Sequence, residues 1–294
     1  MTTSRAGAVL LAARPKTLTA ALVPVMVGTA LAHALGFAVR WDLAGFALLG
    51  AGAIQIGTNL YNDLLDHERG ADTGARVGPV RVTQAGLLAP WQVRLAAAAS
   101  FLVAIACGIP LVLAGGWPIL VLGLLSLVFG YAYTGGPFPL AYHGLGEVFV
   151  LLFFGFGAVG GTYWLHTGRL VPQVALAAVQ VGFLACALLA VNNLRDVDED
   201  SRSRKHTLAV LLGPRFGRGE IVAFACGPLV FGLLWVTLDQ PLAATLPFGA
   251  LPLAMGVLHI VLREPPSPRY NIALARAAAL QLAFGLLLSL GLVL

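Results

Sequence analysis

Nine long apolar runs constrain the fold of this chain more than any other feature. They cover residues 17–36, 42–62, 92–114, 117–134, 145–165, 174–195, 219–238, 243–262 and 272–294. A helix that spans a bilayer needs about 20 predominantly apolar residues, which most of these runs provide. Only 11% of the residues are charged and 59% are hydrophobic, whereas a soluble domain has about 25% charged residues. The sequence therefore predicts an all-α fold, a polytopic membrane helical bundle of about nine transmembrane helices.

The connections between the runs bear on domain organisation. The 35 glycines are typical of helices that pack closely within a membrane, and no alternating pattern of a membrane barrel is present. The two long charged loops, 63–91 and 196–218, follow the second and the sixth run. We therefore interpret residues 1–294 as a single integral membrane domain. Within it, 1–144 and 145–262 form a candidate four-helix pseudo-repeat, followed by a ninth helix.

The basic residues are divided unequally between the two ends of the helices. Of 18 Lys and Arg, all but Arg40 and Arg169 fall in segments on the same side as the N-terminus. Cytoplasmic loops carry an excess of Lys and Arg. We therefore expect the N-terminus and both long loops in the cytosol. The net charge of +5 follows from this orientation and does not indicate a nucleic-acid partner.

Two clusters of acidic residues lie on that same side. Of 13 Asp and Glu, four fall in 63–72 and four in 196–200. The polar residues of each cluster recur every three or four positions, which places them on one helical face. The first set is Asn59, Asn62, Asp63 and Asp66, with Asp72 beyond Gly70, and the second set is Asn192, Asp196 and Asp200. Carboxylates placed together in this way favour a Mg²⁺ site, because Mg²⁺ prefers hard oxygen ligands.

Basic residues follow both clusters along the chain. Arg76 and Arg81 follow the first cluster, and Lys205 follows the second. Arg and Lys neutralise phosphate oxygens, and Mg²⁺ bridges them. The pattern therefore predicts a Mg²⁺–diphosphate site at the cytosolic membrane face.

Two other interpretations of the same residues are open at this point. Acidic groups at a single helix end are usually ordinary solvated polar residues, and loop arginines are usually lipid anchors. The repeat-like arrangement is also typical of a cation transporter. A transporter, however, places ionisable groups near the bilayer midplane, whereas both clusters lie at one face.

The two acidic motifs resemble those of the UbiA superfamily of intramembrane aromatic prenyltransferases. The first reads Asn-x-x-Asn-Asp-x-x-Asp followed by Gly-x-Asp, and the second reads Asp-x-x-x-Asp. Other segments resemble the 1,4-dihydroxy-2-naphthoate polyprenyltransferases of menaquinone synthesis. These are residues 13–18, 78–84, 133–137, 144–147, 160–163, 192–196 and 205–209.

The resemblance implies nine helices around a central cavity, in a bacterial plasma membrane and in contact with its lipid bilayer. It also implies a reaction: a polyprenyl group passes from polyprenyl diphosphate to 1,4-dihydroxy-2-naphthoate. Carbon dioxide and diphosphate are lost, and demethylmenaquinone is formed. Mg²⁺ is the implied cofactor. A different aromatic acceptor, such as 4-hydroxybenzoate, is the alternative within the same class.

The resemblance also assigns candidate roles to residues of the motifs. The catalytic candidates are Asn59, Asp63, Asp66, Asn192, Asp196 and Asp200. The metal ligand candidates are Asp63, Asp66, Asp72, Asp196 and Asp200. The substrate-binding candidates are Lys16, Asn62, Arg76, Arg81, Tyr133, Tyr163, Asn193, Arg195 and Lys205.

Overall fold

The computed structural model describes residues 5–70, 78 and 81–294. Every regular element in this part of the chain is helical, which confirms the predicted all-α class. The α-helices are α1 (Arg5–Ala13), α2 (Thr19–Ala34), α3 (Trp41–Glu68), α4 (Pro90–Gly115), α5 (Trp117–Ala132), α6 (Gly146–Val150), α7 (Ala158–Thr167), α8 (Pro172–Arg195), α9 (Val197–Arg202), α10 (Leu208–Leu211), α11 (Gly213–Gly232), α12 (Pro241–Thr245), α13 (Leu251–Arg263) and α14 (Tyr270–Val293).

Seven helical stretches of the described chain are long and apolar enough to cross a bilayer. They are Trp41–Glu68, Pro90–Gly115, Gly146–Thr167, Pro172–Arg195, Gly213–Leu238, Pro241–Arg263 and Tyr270–Val293. The stretch from Gly7 through α2 is bent by 49° and makes an eighth span if it is counted as one. Helix α5 has only 16 residues. All nine predicted runs are therefore helical in their main part, but the count of nine transmembrane helices is not confirmed.

Proline and glycine mark many of the helix boundaries. Pro90 and Pro172 occupy the first helical positions of α4 and α8, where the missing N–H costs no hydrogen bond. Gly168 ends α7 with φ 66°, and Gly70 follows α3 with φ 68°. Glycine takes this left-handed conformation without a steric cost. Gly70 thus lets the chain turn just beyond the helix that carries the first acidic cluster.

Helix α8 forms the centre of the bundle. In its most apolar window 72% of the residues are buried, compared with 17% in α4. A Cβ on Gly182 would lie 3.1 Å from the Cα of Gly155. Small residues on α8 therefore let a neighbouring helix approach at backbone distance, as expected for membrane bundles. The second acidic cluster begins at the end of this buried helix.

The span that packs on α8 contains a π-helical turn, Leu151–Gly157, between α6 and α7. A π-turn inserts one extra residue and rotates the side chains beyond it, and such turns often mark functional sites. Phe149 lies just before this turn and Phe153 lies within it, and their rings lie 4.8 and 5.6 Å from the ring of Phe129. The turn thus helps to bring three aromatic rings together.

Helix α14 packs against α2 and closes the bundle. A Cβ on Gly285 would lie only 2.5 Å from a methyl carbon of Val23. The fully buried Gln281 accepts a hydrogen bond of 2.9 Å from the hydroxyl of Thr19. The last helix is therefore fitted directly to the first transmembrane segment. The four-helix pseudo-repeat inside the single domain stays a prediction.

Candidate active site

A cavity of about 830 Å³ lies within the bundle and is walled by α2, α3, α4, α5, α7 and α8. Most of its wall is apolar, with residues such as Ile54, Leu120 and Leu124. Polar and charged side chains also line it, and several of them come from the two predicted motifs. They include Lys16, Asn59, Asn62, Asp66, Arg81, Tyr133, Asn192, Asn193, Arg195 and Lys205. The fold therefore brings most of the predicted catalytic and substrate-binding residues to one cavity.

Asp66 is the acid of the first motif that lines this cavity. It is 6% exposed, and its Oδ2 lies 2.9 Å from a guanidinium nitrogen of Arg81. The hydroxyl of Tyr142 donates a hydrogen bond of 2.9 Å to Oδ1 of Asp66. Burial and the charge of Asp66 raise the pKa of Tyr142 well above its usual value, which keeps this phenol a donor at neutral pH.

The other polar residues of α3 contact segments around the cavity. Asn59 donates to the carbonyl of Ala13 at 3.0 Å, and Asn62 accepts from the hydroxyl of Thr134. The carboxylate of Asp63 accepts the backbone N–H groups of Val82 and Thr83, both at 3.0 Å. These hydrogen bonds attach three separate loops to the last turns of α3.

The second cluster is held by a buried arginine from its own helix. Arg195 donates to both oxygens of Asp196 at 2.7 and 2.6 Å, and it also donates to Asn192 at 2.7 Å. Arg195 is 3% and Asp196 6% exposed. Two parallel N–H···O bonds of this kind are among the strongest polar contacts in proteins. Arg195 therefore fixes the orientation of both Asp196 and Asn192.

The expectation of one continuous helical face through the second cluster is corrected in one respect. Helix α8 ends at Arg195, and Asp196 separates it from the short helix α9 with φ −96° and ψ 12°. The backbone N–H of Asp200 still bonds the carbonyl of Asp196 at 2.8 Å. The helical path is therefore interrupted but not reversed, and Asp200 stays one turn beyond Asp196.

Asp200 and Lys205 form the outer pair of this cluster. The Lys205 ammonium lies 3.4 Å from Oδ1 of Asp200. Burial raises the pKa of Asp200 to about 6, although the nearby Lys205 acts in the opposite direction. Burial alone would lower the pKa of Lys205, but the charges of Asp200, Asp66 and Asp196 outweigh it and raise this pKa. Lys205 is thus held as a cation among three acids that come from both motifs.

A backbone contact also joins the two motifs. The N–H of His206 donates to the carbonyl of Tyr142 at 3.1 Å, while the hydroxyl of Tyr142 bonds Asp66. The loop after α9 is therefore attached to the group that orients the first acid. The predicted convergence of the two acidic clusters agrees with this arrangement.

The donor set around Lys205 fits a divalent cation that shares its ligands with a substrate. Oδ2 of Asp200 is buried and has no hydrogen-bond partner in the described chain. In the part of the molecule that the structure describes, no three Asp, Glu, His or Cys side chains converge into a complete metal cage. Mg²⁺ is commonly held by one or two carboxylates together with phosphate oxygens and water. Asp66, Asp196 and Asp200 offer carboxylates of that kind.

Six predicted site residues are not among the described residues that line the cavity. Asp63, Asp196 and Asp200 are buried, and the last two contact the lining residues Arg195 and Lys205. Asp72 and Arg76 lie outside the described residues. Tyr163 is fully buried in the core and does not line the cavity, and its ring packs 6.4 Å from that of Phe37. Phe37 lies in the connection at the opposite end of α2 from Lys16, so the structure does not support a substrate-binding role for Tyr163.

Sequence reasoning missed three residues that support the site. Tyr142 bonds Asp66, and Arg69 bonds the carbonyl of Gly136 at 3.1 Å with its guanidinium 5.1 Å from the ring centre of Tyr142. Glu147 accepts a hydrogen bond of 2.9 Å from the amide of Asn193. Tyr142 and Arg69 follow no spacing rule. Glu147 lies in a segment that carried the resemblance, and its acidic side chain at the start of an apolar run was the available signal.

The fold and the site define a class: a helical membrane protein whose cavity carries carboxylates and cations beside a long apolar wall. Residues 21–291 match the UbiA prenyltransferase family. The chain belongs to the UbiA prenyltransferase family, and it is therefore an integral membrane enzyme. The cation transporter interpretation is set aside on this ground.

Similar proteins with curated names come from several bacteria. The 1,4-dihydroxy-2-naphthoate octaprenyltransferase of Escherichia coli is 38% identical over 77% of this chain and 75% of its own length. The protein of the same name from Haemophilus influenzae is 36% identical over 95% of this chain and 94% of its own length. The one from Bacillus subtilis is 31% identical over 95% and 90%.

Solved structures share the fold at lower sequence identity. A UbiA homologue from Aeropyrum pernix superposes with a TM-score of 0.70 at 16% identity, covering 94% of this chain and 96% of that one. A homologue from Archaeoglobus fulgidus, solved with DMAPP and Mg²⁺ bound, has a TM-score of 0.64 at 17% identity, with 96% and 99% covered. These likenesses show the fold that the chain shares with both proteins.

Proposed function

We propose that this protein transfers a polyprenyl group from polyprenyl diphosphate to 1,4-dihydroxy-2-naphthoate, with loss of CO₂ and diphosphate, and so forms demethylmenaquinol, the hydroquinone form of demethylmenaquinone. The single observation that carries the proposal is the joining of two buried acid–cation clusters to one apolar cavity inside a membrane bundle. The names of relatives that match most of the chain supply the acceptor.

The charged part of the cavity suits the diphosphate. Lys205 and Arg81 are cations that line the cavity beside the acids, and Lys16 joins them from the start of α2. Cleaving an allylic C–O bond requires that the charge on the departing diphosphate be stabilised electrostatically. When bound at Asp66, Asp196 and Asp200, Mg²⁺ would supply Lewis-acid neutralisation of that charge. The lysines and Arg81 bind the oxygens that remain.

The apolar part of the cavity suits the prenyl chain and the allylic cation. Phe129, Phe149 and Phe153 line it with their rings in mutual contact. Aromatic faces stabilise a cation when water is excluded. Burying the apolar chain is also favourable at roughly 25 cal/mol per Å². These walls hold the tail and keep water away from the reacting carbon.

The acceptor would bind between the charged and aromatic parts. Tyr133, Asn192 and Asn193 line the cavity there. The side-chain amide nitrogen of Asn193 donates to Glu147, and the side-chain oxygen of Asn192 accepts from Arg195. Each asparagine is thus held in one orientation, which suits recognition of the acceptor's hydroxyl or carboxylate groups. The electron-rich ring then attacks the allylic carbon, and the carboxyl group leaves as CO₂.

The orientation follows from the distribution of positive charge. We place the N-terminus and the site loops in the cytosol of a bacterial plasma membrane, because Lys and Arg concentrate on that side. Both substrates' charged groups would then meet the protein from the cytosolic side. Cysteine labelling of an introduced residue in the loop after α3 tests this orientation, since a reagent that does not cross membranes should label it only after the cells are opened.

The assay for the reaction uses purified protein in detergent, a polyprenyl diphosphate and each of two acceptors. We expect product from 1,4-dihydroxy-2-naphthoate, with one CO₂ released per transfer, and we expect no product after Mg²⁺ is chelated. Restoring Mg²⁺ should restore the rate. Prenylation of 4-hydroxybenzoate alone, without CO₂ release, would overturn the proposed acceptor but not the family.

A further inference from the structure

The polar residues of the first motif differ in whether they line the cavity. Asn59, Asn62 and Asp66 line it, whereas Asp63 does not. Asp63 is only 2% exposed, although it lies within the motif predicted to bind metal. Asp63 is therefore buried next to cavity-lining residues of α3 without lining the cavity itself.

Both carboxylate oxygens of Asp63 accept hydrogen bonds from one neighbouring segment. Oδ2 accepts the N–H of Val82, and Oδ1 accepts the N–H of Thr83, each at 3.0 Å. The hydroxyl of Thr83 donates to the same Oδ1. Two successive backbone N–H groups directed at one anion form a well-defined anion-binding arrangement. These three donors leave only about one of the roughly four lone-pair positions of the carboxylate for a metal ion.

The segment that Asp63 bonds, which begins at Val82 and Thr83, is compact and packs on α3. Val82 is fully buried against Leu60 and Leu64. Its carbonyl accepts N–H groups from Leu87 at 3.0 Å and from Leu88 at 3.3 Å. The three hydrogen bonds to Asp63, which we name the Asp63 clamp, therefore hold a small folded unit rather than a single strand of loop.

The residue directly before this unit is Arg81. Its side chain is 6% exposed and reaches Oδ2 of Asp66 at 2.9 Å in the cavity. Because Val82 and Thr83 are fixed by the Asp63 clamp, the backbone of Arg81 has little freedom. The clamp therefore sets where the guanidinium of Arg81 stands.

Asn59 makes a comparable contact one helical turn earlier on α3. It donates to the carbonyl of Ala13 at 3.0 Å and to the hydroxyl of Thr17 at 3.1 Å. These groups flank the break between α1 and α2, and Lys16 lines the cavity from this break. Residues four apart share a helical side. Asn59 and Asp63 thus hold two cation-bearing segments in place.

We propose that Asp63 is a positioning residue rather than a metal ligand: through the Asp63 clamp it places Arg81 beside Asp66 for the substrate diphosphate. This inference rests on the proposed function only in naming the diphosphate. The placement of Arg81 itself can be tested without turnover.

The first test is a double-mutant cycle on the KM for polyprenyl diphosphate. We expect Asp63→Ala to raise this KM about 10- to 100-fold, as for lost hydrogen bonds to a charged group. In the Arg81→Ala background the same substitution should change the KM by less than about twofold, because a residue that acts through Arg81 has nothing left to position. Fold-changes that multiply in the double variant would overturn the proposal.

The second test measures metal binding directly. Mn²⁺ serves as the probe in electron paramagnetic resonance titrations of purified protein with inorganic diphosphate. Asp63→Ala should leave the Mn²⁺ affinity within about twofold of the wild type, whereas Asp66→Ala should weaken it at least about tenfold. An equal loss in both variants would make Asp63 a ligand and reject the positioning role. This readout holds even if the acceptor is a different aromatic compound.

Thr83→Val provides a milder variant in case Asp63→Ala does not fold. It removes the hydroxyl donor and keeps both backbone N–H groups, so thermal unfolding in detergent should stay close to wild type. We expect a KM increase of about 3- to 10-fold, which should again disappear in the Arg81→Ala background. The same KM increase in the Arg81→Ala background would contradict the proposal that the Asp63 clamp acts by positioning Arg81.

Discussion

Asp66 and Asp196 are both buried carboxylates paired with an arginine, but their arginines come from different distances along the chain. Arg81 is 15 positions from Asp66, and Tyr142 is 76 positions from it. Arg195 is the immediate neighbour of Asp196. The first cluster is therefore assembled by tertiary structure, whereas the second is built mostly from one short stretch of chain.

This difference determines how each cluster responds to change. A displacement of the segment 81–88 or of the loop that contains Tyr142 removes partners from Asp66 without touching α3. No such displacement separates Arg195 from Asp196, because both belong to the end of α8. The second cluster should therefore behave as a rigid unit, and the first as a site whose completeness depends on distant segments.

The largest effect is expected for Asp66→Ala, which removes the acid that both distant segments contact. Transfer should fall about 10³-fold or more, as when a group that stabilises leaving-group charge is lost. The rate of prenyl transfer by purified protein at saturating Mg²⁺ measures it. Asp198→Ala is the matched control, since Asp198 is exposed beside the second cluster, and it should retain the rate within about twofold. Retention of a tenth of the activity by Asp66→Ala would contradict the assignment.

The next effect concerns stability and the local cluster. Arg195→Leu leaves Asp196 buried without its bidentate partner and also removes a donor to Asn271 at 2.9 Å. Breaking one side of a buried ion pair costs about 3–5 kcal/mol, so thermal unfolding in detergent should shift strongly downward. Arg269→Leu is the control, because Arg269 pairs with Glu264 at 66% exposure and such pairs contribute at most about 1 kcal/mol. Similar shifts in unfolding temperature for both variants would contradict the larger contribution that we assign to the buried Arg195–Asp196 pair.

Lys205→Met tests the cation that interacts with both clusters. It should raise the KM for polyprenyl diphosphate about 10- to 100-fold, since a charge-assisted contact to phosphate is lost. Steady-state kinetics with varied diphosphate measures this change. Arg202→Met, at an exposed position of α9, should leave the KM nearly unchanged. A loss confined to kcat would argue that Lys205 does not contact the substrate.

A smaller effect is expected from pH, through Asp200. Its pKa is raised to about 6, so the carboxyl group is ionised at pH 7.5 and becomes protonated as the pH falls below 6. A proton then competes with Mg²⁺. The Mg²⁺ concentration for half-maximal rate should rise about fivefold from pH 6 to pH 5. Because Lys205 lowers this pKa, the rise should begin at higher pH in Lys205→Met. A requirement for Mg²⁺ that does not change with pH would contradict this role of Asp200.

The sequence predicted the second cluster more completely than the partners of the first cluster. The spacing of Asn192, Asp196 and Asp200 showed the second cluster, because its partners are near in sequence. The motif around Asp66 was equally visible, and so was the all-α membrane class. The partners of Asp66, however, are set by loop conformation. Neither helical periodicity nor charge counting indicates that Tyr142 reaches Asp66, or that Asp63 bonds a backbone segment.

Helix boundaries show a related limit. Apolar length predicted every membrane-spanning run in outline, but not the bend between α1 and α2, the π-turn at Leu151–Gly157 or the shortness of α5. These features depend on side-chain contacts across helices. The predicted substrate-binding role of Tyr163 shows the same limit. Its position within a similar segment does not reveal which side of the helix faces the cavity.

The smallest effect is expected from Gly123→Leu, which should leave both clusters intact. Gly123 lines the cavity, and a Cβ there would meet no atom within 4 Å. A leucine would narrow the apolar part and should lower the rate with long prenyl diphosphates relative to short ones by about 3- to 10-fold. Gly52→Leu is the control, since Gly52 is equally open but does not line the cavity. The ratio of rates for two chain lengths measures the effect, and an unchanged ratio would place the tail elsewhere.

The packing of α14 on α2 has a consequence for how the enzyme is made. Helices enter the membrane in the order of synthesis, and N-terminal parts generally form first. Helix α2 forms one wall of the cavity, yet its contacts at Val23 and Thr19 are with Gly285 and Gln281 of the last helix. During translation, helix α2 can therefore make these contacts only after the final segment of the polypeptide has been synthesised. Catalytic competence should appear only when that segment has been inserted, late in biogenesis, rather than gradually as the acidic motifs emerge.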